Sequence, residues 1–200
     1  MNDTQSEIQI TAEPQTLPSN CLYRAVDRSL HSGLLYTSNP GFAAEWMPLA
    51  AAIFAAADHV KGVRIGGHEV LVSMESTPDD WRPIAKATGA AIRAFLNGGE
   101  ACVKEGAGDS MTDADLWRNQ AQKVIDAELN PNLASHGGWV EIQASDGSEL
   151  YITMGGGCQG CGSAALTMKQ GVETSIRNAV PDITAIHDST DHASGQNPYM

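Results

Sequence analysis

Eight residues, Gly155-Gly-Gly-Cys-Gln-Gly-Cys-Gly162, narrow the folds open to this 200-residue chain more than any other stretch. Five of the eight are glycine and bring no side chain to a core, so the segment must be a turn between elements. Before it, Leu150, Ile152 and Met154 alternate with the period of a half-buried strand. After it, Ala165, Met168, Val172, Ile176 and Ala179 recur at helical spacing from about Ser163, and Pro181 ends the run. The motif therefore joins a strand to a helix. Upstream, Val140, Ile142 and Ala144 alternate along a partner strand, and Asp146-Gly147 is a strong hairpin turn. Thr112 and Asp115 resemble a capping box that opens a helix, with Trp117, Ala121, Val124, Ile125 and Leu129 on its buried face. Pro131 is predicted to stop that helix. Ile183 to His187 supplies a last strand, giving the order α-β-β-α-β.

The pair Cys158 and Cys161 has the C-x-x-C spacing that turns two sulfurs the same way from one tight turn. The N-terminus of the following helix favours negative charge and so favours thiolate. The flanking glycines leave room and let backbone N–H groups face an anion. Two thiolates are half of a tetrahedral zinc or iron–sulfur ligand set. The simplest completion is a second copy of the same loop across a two-fold axis. A thioredoxin-like redox pair also sits at a helix start, but there a βαβ unit leads into the motif, whereas a hairpin does so here. A shared structural zinc site stays open as well. Cys21 reads as a small core residue and Cys102 as a free thiol. His31, His59, His68, His187 and His192 show no metal spacing, and His136 reads as a turn residue. Trp46, Trp81, Trp117 and Trp139 read as packing residues. The run Gly155–Gly157 lacks the context of a dinucleotide fingerprint.

Residues 98–111 are glycine-rich without apolar periodicity and are predicted to be a flexible linker. They divide the chain into two small α+β domains, 1–97 and 112–190, with a polar tail at 191–200. In the first, Ile8–Ile10 and Cys21–Val26 suggest strands, and Gly41–Ala57 reads as a helix interrupted or started by Pro48. Lys61–Ile65 and Glu69–Met74 form a hairpin about Gly66-Gly67-His68. Trp81, Ile84, Ala85, Thr88, Ile92 and Phe95 line a helix that Thr77 or Asp79 would cap.

Charge removes several function classes. Twelve basic residues face 24 acidic ones, a net charge of −12. Residues 1–100 hold seven basic and eleven acidic side chains, and residues 101–200 hold five and thirteen. A phosphate-backbone binder needs a basic face, so nucleic acid is not an expected partner. An anionic membrane surface is disfavoured on the same ground. The longest apolar run, the eleven residues Met47–Ala57, is half what a membrane-spanning helix needs. The first residues carry neither a basic nor an apolar signal region, so the expectation is a cytoplasmic protein. Four cysteines in 200 residues are too few for a disulfide scaffold.

Taken together, Leu129-Asn-Pro-Asn-Leu-Ala-Ser-His-Gly-Gly138, the hairpin, Gly155-Gly-Gly-Cys-Gln-Gly-Cys161 and Thr167-Met-Lys-Gln-Gly-Val-Glu173 resemble the NifU C-terminal (Nfu) domain over residues 112–190. Residues 1–97 are similar to the Nfu N-terminal domain at Pro48-Leu-Ala50, Phe54, Val60-Lys-Gly-Val63, Val70-Leu-Val72 and Trp81, and depart from it at Gly67-His68. The resemblance implies an iron–sulfur cluster carrier rather than an enzyme. It would hold a [4Fe–4S] cluster across a homodimer, with Cys158 and Cys161 of each chain as ligands. Its partners would be an upstream cluster donor and apo-proteins that take the cluster by ligand exchange.

Overall fold

The structure, a computed structural model, describes residues 8–156 and 163–190. The chain divides into two compact units, Met1–Ser110 and Met111–Met200. Both mix helices with antiparallel hairpins, as the α+β reading anticipates.

The first unit is built on a five-stranded antiparallel sheet in the order β1-β2-β5-β4-β3. Its strands are β1 (Ile10–Pro14), β2 (Asn20–Ala25), β3 (His31–Thr37), β4 (Val60–Gly67) and β5 (Glu69–Met74). Strand β3 escapes the sequence pattern because Gly33 breaks its alternation and its register shifts between His31 and Leu34. The predicted helix about Pro48 is two helices, α1 (Pro40–Trp46) and α2 (Pro48–Ala56). Each begins on a proline, whose missing N–H costs nothing in a first turn. Helix α3 (Trp81–Gly98) buries Thr88, Ile92 and Leu96 and packs beside α2 and β1. Its cap is Asp80, not Thr77 or Asp79. The Asp80 carboxylate accepts from the Arg82 backbone N–H at 2.9 Å, and the Arg82 guanidinium lies against the same carboxylate.

That guanidinium, and then the backbone N–H, hold Asp80 below the usual carboxylate range. A depressed folded-state pKa stabilises the fold above the unfolded value and loses this contribution as pH falls through the folded one. The stability difference between the wild type and Asp80→Asn is therefore expected to be constant above about pH 5. It should shrink as the solution is acidified below ~3.9. Urea titrations at stepped pH check it.

The glycine-rich segment is not a free linker over most of its length. The Leu49 N–H donates to the Cys102 carbonyl at 3.3 Å, and the Lys104 N–H to the Trp46 carbonyl at 2.9 Å. Cys102, Val103 and Ala107 are buried. The glycines hide a docked turn because three small or apolar side chains are enough to fasten it to the ends of α1 and α2.

The second unit starts as predicted. Thr112 accepts from the Asp115 N–H at 3.2 Å, and the Asp115 carboxylate accepts back from the Thr112 N–H at 3.3 Å. Helix α4 (Asp113–Val124) does not stop at Pro131, however. It opens into a π-helical turn over Ile125–Leu129 and continues as α5 (Asn130–Ala134). The Asn130 N–H reaches the Ile125 carbonyl, one residue further back than in an α-helix. The wider turn gives Pro131 a place in the first turn of α5, where it need not donate.

Strands β6 (Gly138–Asp146) and β7 (Glu149–Gly156) form the antiparallel hairpin, with Gly147 at φ +52° in its turn. A bulge between Ile142 and Ala144 turns Ala144 outward, so the inward alternation ends at Ile142. Helix α6 (Ser163–Ala179) crosses back to β8 (Ala185–Asp188), which lies parallel to β7 and completes the sheet β6-β7-β8. A parallel pair requires such a crossover. One core joins the layers, with Ala121 and Ile125 from α4 and the π turn, Val140, Ile142, Leu150, Ile152 and Met154 from the sheet, and Val172 and Ile176 from α6.

Asn130 fastens this arrangement. Its side-chain amide donates to the Val140 carbonyl at 3.1 Å and its carbonyl accepts from the Val140 N–H at 2.8 Å. Asn130→Ala strips both partners from a buried stretch of β6. It is expected to cost about 2–4 kcal/mol, at 1–3 kcal/mol for each abandoned backbone group less some hydration. Equilibrium unfolding of the full chain checks it.

Candidate metal centre

Cys158 and Cys161 lie outside the described residues, so the site is defined by what holds it on either side. Six residues connect Gly156, the end of β7, to Ser163, the start of α6. In sequence the C-x-x-C pair thus falls between a sheet strand and a helix of 17 residues, both of which the flanking periodicities predict. The helix N-terminus carries partial positive charge toward whatever that turn holds.

The approach to the turn is built by close packing. Gly155 pairs across the hairpin with Trp139, and the indole lies over the glycine where a Cβ would fall on the ring. Gly156 pairs with Gly138 and takes φ +63°. A Cβ there would fall on the carbonyl oxygen of Gly137, itself at φ +65°. These glycines are needed for contact with β6, not only to leave space at the cysteines. Trp139 is half-buried by this contact. His136 stays exposed in the turn that leads into β6, its backbone N–H on the Leu133 carbonyl.

The other two cysteines are poor donors where they stand. Cys21 is fully buried in the first unit's sheet, and burial pushes its thiol up from the ordinary value. Cys102 is 6% exposed, and burial raises it too, outweighing the nearby Arg28 guanidinium. A buried neutral thiol neither ligates iron nor reacts readily. Alkylation of the native protein at pH 8 is therefore expected to spare both until denaturant is added, which mass spectrometry of the labelled chain reads directly. Among the described residues, no three His, Cys, Asp or Glu side chains gather as a metal site. His187 is engaged with Glu149 at 2.8 Å and stacks on Tyr151, and His59 faces Glu75 at 3.2 Å. Among the described residues, no helix is long and apolar enough to cross a membrane.

Comparison with known proteins bears on the same unit. Residues 121–187 match the NifU-like domain family. That span takes in the end of α4, the hairpin, both turn cysteines, α6 and most of β8. That match lies wholly within the second unit. The chain is 45% identical over 94 residues to the Fe/S biogenesis protein NfuA of Stenotrophomonas maltophilia strain K279a, covering 46% of this chain and 47% of that protein. It is 43% identical over 95 residues to the protein of the same name from Xanthomonas euvesicatoria pv. vesicatoria, with the same coverages. The chain thus spans about half the length of the curated relatives it matches. A solution structure of a NifU-like protein from Saccharomyces cerevisiae aligns over 52% of this chain and 91% of its own, at 17% identity and a TM-score of 0.43. Among known proteins, then, this chain resembles the Nfu type.

Proposed function

We propose that the chain is an iron–sulfur cluster carrier. Cys158 and Cys161 of one copy, with the same pair from a second copy, hold a [4Fe–4S] cluster between two subunits and pass it to apo-proteins. The observation that carries this reading is the placement of the C-x-x-C pair. In sequence it lies within the NifU-like match and between β7 and α6, while Cys21 and Cys102 are buried in the other unit.

Thiolates are the natural ligands of such a cluster, and the helix N-terminus favours them in the anionic form. Four are needed and each chain offers two, which makes the second copy part of the site. Transfer is then thiolate exchange, in which a client's cysteines replace the carrier's one at a time. No general acid or base takes part, so the protein acts as a carrier and not as an enzyme. Residues 112–190 are the cluster-binding domain on this reading. Residues 1–97 are an Nfu N-terminal-like domain that modulates contact with clients. The upstream partner is a cluster donor, nucleic acid and membrane have no part, and the setting is the cytoplasm.

Anaerobic reconstitution of the full chain with ferrous iron and sulfide tests the proposal. The expected product absorbs broadly near ~400 nm and holds about four irons per dimer. A chain that stays colourless and cycles a disulfide without metal would be a thiol–disulfide oxidoreductase instead. Colourless zinc binding whose removal unfolds the domain would mark a structural zinc module.

A further inference from the structure

A buried carboxylate ties together the two elements that flank the cysteine turn. Asp188 ends β8 with its side chain only 4% exposed, and its carboxylate lies 3.3 Å from the ammonium of Lys169 in the second turn of α6. The same carboxylate accepts from the Thr190 N–H at 2.9 Å. The Thr190 hydroxyl, held in this way, accepts from the Met154 N–H at 2.9 Å in a buried hydrogen bond. Met154 is two residues from the end of β7. The Ser189 N–H also donates to the Ile152 carbonyl, so the segment after β8 follows β7 toward its glycine end. The two residues that follow β8, Ser189 and Thr190, are thus docked on β7.

Placing a carboxylate here is not an efficient way to gain stability. The carboxylate is desolvated while Lys169 is only half-buried, so the cost of desolvation offsets much of their attraction. What the pair adds is a tether between α6 and the end of β8, and the hydrogen bonds of Asp188 and Thr190 carry it on to Met154. This network joins α6 to β7 by way of β8, and the cysteine turn hangs between α6 and β7.

We propose that Lys169, Asp188 and Thr190 form a latch that sets the end of β7 against α6 and thereby slows loss of cluster from the turn. They are positioning residues, and the inference rests on the carrier reading above. The latch acts through backbone placement, so its effect is on how long the cluster is retained.

The test uses the full chain reconstituted with ferrous iron and sulfide, then challenged with a ferrous chelator. Thr190→Val deletes the hydroxyl at constant shape. The double variant Lys169→Met with Asp188→Leu replaces the ion pair by apolar contact. Each is expected to speed iron loss roughly tenfold, the lower end of what losing an outer partner costs a metal site. Thr190→Ser should restore the wild-type rate. Without metal, amide exchange at Met154 should quicken in Thr190→Val and recover in Thr190→Ser. If the double variant does not fold, the two Thr190 variants decide the matter. Folded variants that release iron at the wild-type rate overturn the latch alone. A wild-type chain that takes up no iron overturns the carrier reading, and the latch with it.

Discussion

Cys158→Ala and Cys161→Ala are each expected to leave the reconstituted protein without iron, while Cys21→Ala and Cys102→Ala keep the wild-type iron content. The asymmetry follows from symmetry and burial. If two copies share the cluster, one substitution in the gene removes two of four thiolates. No other soft donors gather among the described residues to replace them. Cys21 and Cys102 sit inside the first unit as neutral thiols, so their removal leaves small cavities and falls on stability. Iron and sulfide assays on oxygen-free protein, with the visible spectrum, separate the outcomes. Retention of iron by Cys158→Ala would refute the ligand assignment.

Among the described glycines of the second unit, Gly156 is where an added methyl, Gly156→Ala, is expected to produce the largest loss of stability. Its φ of +63° already penalises an L side chain, by about 1–2 kcal/mol. The new Cβ would also fall on the Gly137 carbonyl oxygen, a backbone atom that cannot rotate away as a side chain can. Relief requires β6 and β7 to part where Trp139 packs on Gly155. The combined cost should exceed about 3 kcal/mol, since strain at a special backbone conformation and overpacking act together. Gly171→Ala, where an added Cβ meets nothing within 4 Å, is the matched control and should hold or raise stability. Urea unfolding of both variants reads the difference, and equal midpoints would refute the account.

The second unit was legible because its signals are local. The Thr112–Asp115 box, the alternation of Leu150, Ile152 and Met154, the turn at Gly147 and the helix from Ser163 to Ala179 each depend on neighbours a few residues away. The reading failed where a distant partner decides. Pro131 stops an α-helix but not one that has just widened into a π turn. Ala144 leaves the inward face because the bulge against Tyr151 shifts the register. The segment holding Cys102 reads as flexible until its carbonyl is seen to cap the start of α2.

The linear chain alone established the C-x-x-C pair, the strand and helix on either side of it and the acidic charge balance. Spacing, periodicity and charge are properties of nearby residues and need no fold to be read. Tertiary structure decided why Gly155 and Gly156 must be glycine, that Cys21 and Cys102 are buried, and that Asp188 and Thr190 are tied to α6 and β7. Those outcomes depend on atoms brought together from residues tens of positions apart, and only the packed chain sets their distances.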